Sequence, residues 1–174
     1  MRLHLIRHPR PLIEAGLCYG RLDVAAEAPE AIAAYLRANL PLGLPLWSSP
    51  LRRCLDLARL LHPEPLVDER LAEMDFGHWE GQPWDAIPRG ELDAWAADVA
   101  GYAPPGGESP RAVLARVQAF MANLAVEEAV LVTHAGVIRL LLAEQQGLPP
   151  SRWCELNFAY GSHTVFDTGG DIRR

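Results

Sequence analysis

Short apolar runs alternate with longer stretches of helical periodicity along most of the chain. "RLHLIRH", residues 2–8, is short and apolar, as a buried strand is, yet it finishes on the basic pair Arg7-His8 with Pro9 directly behind. "PEAIAAYLRANL" spaces its apolar residues as a helix does and stops near Pro41 and Gly43. "LPLWSS" is a second strand candidate, and Pro50 suits the first position of a helix over "PLRRCLDLARLL". The clearest helix start lies in "SPRAVLARVQAFMANLA", with Ser109 as N-cap and Pro110 behind it. Its residues Val113, Leu114, Val117, Phe120, Met121 and Leu124 form one stripe. "AVLVTH" predicts a third buried strand, after which Gly136 opens the helix "VIRLLLAEQQ", and "HTVFDT" predicts a last strand.

Strands alternating with helices predict an α/β fold: a three-layer sandwich with a largely parallel central sheet flanked by helices. With 174 residues the chain fits a single domain with a sizeable core. Residues 81–108, rich in Pro, Gly and Trp, read as an irregular, lid-like insert. The net charge of -6 gives no electrostatic support to nucleic-acid or membrane-surface binding. Cys18, Cys54 and Cys154 are odd in number and far apart, without CxxC or metal-ligand spacing, so reduced cytoplasmic thiols are expected. The N-terminus shows no apolar signal-peptide region and no run approaches a membrane span, which also predicts a cytoplasmic protein. Oligomeric state is not readable from the sequence.

In open α/β sheets, ligands bind beyond the carboxyl ends of the strands, near helix N-termini. Three strand ends carry unusual residues: Arg7-His8, Ser48-Ser49 leading to Arg52-Arg53, and Thr133-His134. Parallel neighbours would bring two histidines and two or three arginines to one edge. Arginine is not a metal ligand, so neither a metal nor a cofactor is expected. Guanidinium forks do suit phosphate oxygens, which makes a small phosphorylated molecule the expected partner. Glu73, Asp75 and Glu80 share one short stretch and are equal candidates for a working carboxylate on the residues alone. Trp84, Trp95 and Tyr102 either pack the insert onto the domain or stack on an aromatic substrate. His4, His62 and His163 default to structure, and Glu108 to the turn before Ser109.

Five pieces, in order, "LIRHP", "SSPLRRC", "LAEMDFGHWEG", "PPGGES" and "VTHAGVIR", resemble the histidine phosphatase, or phosphoglycerate-mutase-like, superfamily. The resemblance implies that His8 is a nucleophile that becomes phosphorylated and that Arg7 and Arg53 bind the phosphate. It makes Glu73, in preference to its two neighbours, the proton donor and acceptor, and His134 the second histidine of the phosphate pocket. Arg21, in "CYGRLD", and His78 are further candidates for substrate contact. Where the family has glycine, threonine and asparagine after the nucleophile, this chain has Pro9, Pro11 and Glu14. Pro9 offers no N–H but biases His8 towards an extended backbone. Glu14 would repel phosphate if it pointed inward, so it is expected to turn away. The segments "AGLCYGRLD" and "CELNFAYGSHTVFD" look like the alpha-ribazole phosphatase branch. The implied activity is a metal-independent phosphomonoesterase, with alpha-ribazole 5'-phosphate, from cobalamin nucleotide-loop synthesis, as the expected substrate. A broad small-molecule phosphatase and a non-catalytic binder of phosphorylated ligands are the alternatives.

Overall fold

The computed structural model describes residues 1–168. Its strands are β1 (Arg2–Arg7), β2 (Leu46–Ser48), β3 (Leu66–Val67), β4 (Glu128–Thr133) and β5 (His163–Asp167). They form one sheet in the order β3-β2-β4-β1-β5. Four of these strands run parallel, and β5 is antiparallel to β1 at one edge. The helices are α1 (Pro29–Asn39), α2 (Arg52–Leu61), α3 (Arg89–Ala97), α4 (Pro110–Ala122) and α5 (Ala135–Gln145).

The sheet is covered on both faces, which is why β4 reads as a near-continuous apolar run; in β1 the polar His4 is nonetheless buried, its ring nitrogens 2.8 Å from His163 and 2.9 Å from Glu128. Leu3, Leu5, Ala129 and Leu131 pack with Val113, Val117 and Phe120 of α4 and Val137, Ile138 and Leu141 of α5. Ile6, Val130, Val132 and Leu46 pack on the other side with Ala33 and Leu36 of α1 and Cys54, Leu57 and Ala58 of α2. This is the expected three-layer α/β sandwich. Ser109 caps α4 as expected, its hydroxyl accepting from the Ala112 N–H at 3.2 Å.

Three local expectations are corrected. Pro50 is not the first residue of α2, because Leu51 is extended (ψ 134°) and the helix begins at Arg52. Leu51 is instead the residue before the helix, and its N–H donates to the Ser49 hydroxyl at 3.3 Å. The fifth helix starts at Ala135, one residue before Gly136. Residues 81–108 are not irregular throughout, since they contain α3 and a short 3₁₀ turn at Trp84–Ala86. Here Trp79 and Ile87 are buried with Cys18 in a small separate core, against Phe76, Trp84, Leu92, Trp95 and Tyr102. Aromatic side chains on turns and one short helix build this core, so no helical stripe announces it.

No helix among the described residues is long and apolar enough to cross a membrane. Phe120 is 1% exposed and meets Trp47 edge-on at 6.2 Å, tying α4 to the sheet. Phe120→Ala should destabilise the protein by about 3–5 kcal/mol in urea unfolding followed by circular dichroism.

Candidate active site

The parallel register sets Arg7 of β1 beside Thr133 of β4, and Ser48 of β2 beside Val132. One residue further on, the His8 N–H donates to the Thr133 carbonyl at 3.1 Å and the Ser49 N–H to the Val132 carbonyl at 3.0 Å. His8, Ser49 and His134 are therefore delivered to one place by backbone pairing alone. The rings of His8 and His134 lie 5.1 Å apart.

His8 is buried, and its Nδ1 lies 2.7 Å from the Pro9 carbonyl. A carbonyl only accepts, so Nδ1 carries the proton and Nε2 holds a lone pair. Pro9 thus supplies an acceptor that orients the imidazole. Burial, then the Arg53 and Arg7 charges, lower the His8 pKa to about 3, against the smaller opposing effect of the Pro9 bond. His134 is fully buried, with Nε2 2.8 Å from the Ser49 hydroxyl. That hydroxyl also accepts from the Leu51 N–H at 3.3 Å. Burial and the Arg53 charge hold the His134 pKa well below its ordinary value. Both imidazoles are neutral at neutral pH.

Arg53 lies behind these rings at 0% exposure. It donates to the carbonyls of Leu22 at 2.8 Å and Gly20 at 2.5 Å. The amides of the same turn face the other way: the Gly20, Arg21 and Leu22 N–H groups donate to the Glu80 carboxylate at 2.8–3.0 Å, as does Phe76. Arg7 donates to the Phe158 carbonyl at 2.5 Å and lies over the Tyr160 ring at 3.8 Å. The Nε atoms of Arg7 and Arg53 are buried without a partner among the described residues.

Glu73 accepts from the Met74 N–H at 3.1 Å and from the Gly136 N–H, in the first turn of α5, at 3.2 Å. A Cβ at Gly136 would come within 2.2 Å of the Glu73 carboxylate, so only glycine allows this approach. Arg116 fixes the backbone beneath, donating to the carbonyls of Glu73 at 3.1 Å and Arg70 at 2.6 Å. Its fork also holds Glu108 at 2.9–3.0 Å. Burial pushes the Glu108 carboxyl up, but Arg116, the Asp75 amide and Arg21 together bring it below its ordinary value.

Arg7, His8 and Glu73 line a cavity of about 380 Å³ that continues between Phe76, Trp84, Trp95, Arg139 and Trp153. The Trp84 and Trp95 rings are stacked at 5.9 Å and 11°. These two tryptophans pack the insert, as one of the two sequence readings has it, and they also wall the cavity, while Tyr102 stacks on Trp79 away from it. Arg53 and His134 sit behind this surface. Arg21 and His78 stand away from it: Arg21 pairs with Glu69 and Glu108 at 3.6 Å, and His78 is exposed over Gly106. Arg52 and Glu14 are exposed, Glu14 turned to solvent as expected. Sequence reasoning missed Arg116, Arg139, Tyr19 and Tyr160. Tyr19 in "CYGRLD", Arg139 at the end of "VTHAGVIR" and Tyr160 in "FAYGSH" stood in segments already marked as informative, although no role was given to them; Arg116 did not.

Residues 3–173 match the family model described as the histidine phosphatase superfamily (branch 1). The chain belongs to this superfamily. Glucosyl-3-phosphoglycerate phosphatase of Mycobacterium tuberculosis is 33% identical over 175 residues, covering 87% of this chain and 78% of the relative. Adenosylcobalamin/alpha-ribazole phosphatase of Escherichia coli K12 is 29% identical, covering 96% of this chain and 90% of the relative. The crystal structure of TTHB049 from Thermus thermophilus superposes with a TM-score of 0.80 at 34% identity, over 97% of this chain and 95% of that one. This histidine phosphatase is a phosphoric monoester hydrolase. Among its described residues no group of three His, Cys, Asp or Glu side chains is placed to hold a metal ion.

A folded-state pKa of about 3 for His8 lies below the unfolded value near 6.5. Above the unfolded value the neutral ring incurs no proton-linked cost. As pH falls towards the folded value, the unfolded chain takes up a proton that the folded His8 refuses, so stability declines. His8→Gln should flatten the loss of unfolding free energy between about pH 6.5 and 3, measured by urea titration at several pH values. A residual slope from His134 is expected in that variant.

Proposed function

We propose that the protein hydrolyses small phosphomonoesters in two displacements through a phosphohistidine at His8, without a metal. The observation that carries this reading is the buried His8 Nε2 lone pair, held by the Pro9 carbonyl at the cavity floor with unpartnered guanidinium N–H groups beside it. In the first step Nε2 attacks phosphorus and the P–O ester bond breaks. The leaving alkoxide takes a proton from Glu73. In the second step a water loses a proton to Glu73 as its oxygen attacks phosphorus; the N–P bond breaks and its electron pair returns to Nε2. Arg7 binds the equatorial oxygens, while Arg53 and His134 act from behind His8. Phosphoryl transfer asks mainly for such positioning and fixed positive charge. Depressed histidine pKa values serve this chemistry, because a protonated imidazole is no nucleophile.

The finer reading is alpha-ribazole 5'-phosphate as substrate. The relationship to the alpha-ribazole phosphatase spans nearly the whole of both chains. The stacked Trp84–Trp95 pair and Phe76 give the outer cavity flat apolar faces, which suit an aromatic base better than a sugar. The glucosyl-phosphoglycerate relative sets the competing expectation. Phosphate release from alpha-ribazole 5'-phosphate, purine nucleotides and sugar phosphates separates them. Alpha-ribazole 5'-phosphate should give the highest kcat/KM, and a sugar phosphate ranking first would overturn this choice.

The mechanism itself is checked with phenyl phosphate in EDTA. The wild type should turn over and His8→Ala should not. Glu73→Gln should lower kcat/KM for phenyl phosphate by about 10²–10⁴-fold, but much less for p-nitrophenyl phosphate, whose leaving group needs no proton. Equal losses on both esters would move the proton donor elsewhere.

A further inference from the structure

Within the cavity one cation is unassigned. Arg139 lies on α5 three residues after Gly136, and it lines the cavity together with Ala135, Gly136 and Leu140. Residues three apart share a helix face, and three residues rise about 4.5 Å along the axis. Helical side chains lean back towards the N-terminus. Arg139 therefore lies one turn further along the helix face on which Gly136 holds the Glu73 carboxylate, and lines the same cavity.

Arg7, at the cavity floor, donates to the Phe158 carbonyl and is assigned to the phosphate, and the terminal nitrogens of the other arginines around the site have partners. Arg53 holds the Gly20 and Leu22 carbonyls, Arg116 holds Glu108, and Arg21 pairs with Glu69 and Glu108. Arg139 is anchored only through Nε, which donates to the Leu156 carbonyl at 3.0 Å. Its two terminal nitrogens have no hydrogen-bond partner, carboxylate or aromatic face among the described residues. A guanidinium steadied at Nε, with its outer edge turned to an otherwise aromatic and aliphatic wall, presents two parallel donors to whatever enters.

We propose that Arg139 recognises the alcohol portion of the substrate by donating to a pair of oxygens one helical turn beyond the ester oxygen. The substrate class is a phosphomonoester whose alcohol carries a vicinal diol or a carboxylate; a plain hydrocarbon alcohol is excluded. This rests on the assignment of the cavity to phosphoester hydrolysis at His8. Arg139 makes no contact with the transferred phosphate and contributes to binding of the leaving group.

Two matched substrate pairs carry the test. AMP and 2',3'-dideoxy-AMP differ by the ribose oxygen pair, whereas phosphoserine and phosphoethanolamine differ by a carboxylate. The wild type should favour the oxygen-bearing member of one pair by about 10- to 100-fold in kcat/KM, the range of hydrogen bonds to a charged group. The difference should lie in KM. Arg139→Ala should bring that ratio close to one, with a distinctly smaller loss on phenyl phosphate, which lacks the oxygens. The responding pair tells a diol from a carboxylate. Arg139→Lys keeps the charge without the fork; it should recover only part of the ratio, and it preserves the test if the alanine variant does not fold. No preference in either pair, or a preference that survives both substitutions, would overturn the inference while leaving the phosphatase reading intact. Losses on phenyl phosphate equal to those on the oxygen-bearing esters would likewise overturn it, placing Arg139 at the phosphate. A wild type inert towards phenyl phosphate would instead take down the hydrolysis at His8, and this inference with it.

Discussion

A fully buried guanidinium without a carboxylate partner is the constraint around which this molecule is arranged. Arg53 lies at 0% exposure, and its hydrogen bonds go to two backbone carbonyls. Carbonyl dipoles solvate the charge but do not neutralise it, so its field acts on everything near it. Burial first, and then this charge, keep the His8 and His134 rings neutral. The same field makes the place favourable for a dianionic phosphate. One charge thus helps to keep the nucleophile unprotonated and also attracts the anion.

That charge has to be held still, and the turn at residues 20–22 does so from both sides. Its carbonyls face Arg53 and its amides face Glu80. Glu80 also accepts from Phe76, a partner of the small aromatic core that includes Trp79 and Trp84. The cation behind the nucleophile and the aromatic wall of the cavity are thereby joined through one carboxylate. Loosening the insert would be felt at Arg53, and through it at His8. The buried, unpartnered Nε atoms of Arg7, Arg21 and Arg53 all belong to this neighbourhood. Stability forgone at such points is the usual mark of a binding site.

Four of the five strands were legible, "AVLVT" as a near-continuous apolar run and "LHLIR" as a short, mostly apolar one, whereas β3, with its two residues exposed, left no signal. The α4 start was legible because Ser109 and Pro110 act locally. The position of the α2 start was not, since the residue after Pro50, Leu51, is extended and the helix begins only at Arg52. The core formed by Trp79 and Ile87 left no periodic trace, because its members come from turns and one short helix. His8, Arg53 and His134 were legible as strand-end and first-turn residues once parallel pairing was granted, and family resemblance chose Glu73 from three carboxylates. Arg116 was hidden as a polar residue on an otherwise ordinary amphipathic helix, and Arg139, although it ends "VTHAGVIR", carried no sign of a role of its own. Only tertiary contact separates such a residue from a solvated one.

The cavity divides into two parts with different obligations. At its floor, His8 and Glu73 are set by main-chain groups: the Pro9 carbonyl, and the Met74 and Gly136 N–H groups. Such partners survive side-chain substitution, so the phosphoryl chemistry is insulated from changes nearby. Its outer part is made of side chains, Trp84 and Trp95 from the insert with Arg139 and Trp153 from the far side of the fold. Exchange of Arg139 or Trp153 can alter which alcohol is accepted while the main-chain partners of the floor stay in place, whereas Trp84 and Trp95 also belong to the packing of the insert. A scaffold built this way can keep one reaction while its relatives act on different esters. In this chain the outer part combines flat apolar faces with a single forked cation. That combination discriminates more sharply than either alone, because a ligand lacking the oxygen pair leaves the guanidinium desolvated and unpaired, at a cost that apolar contact does not repay.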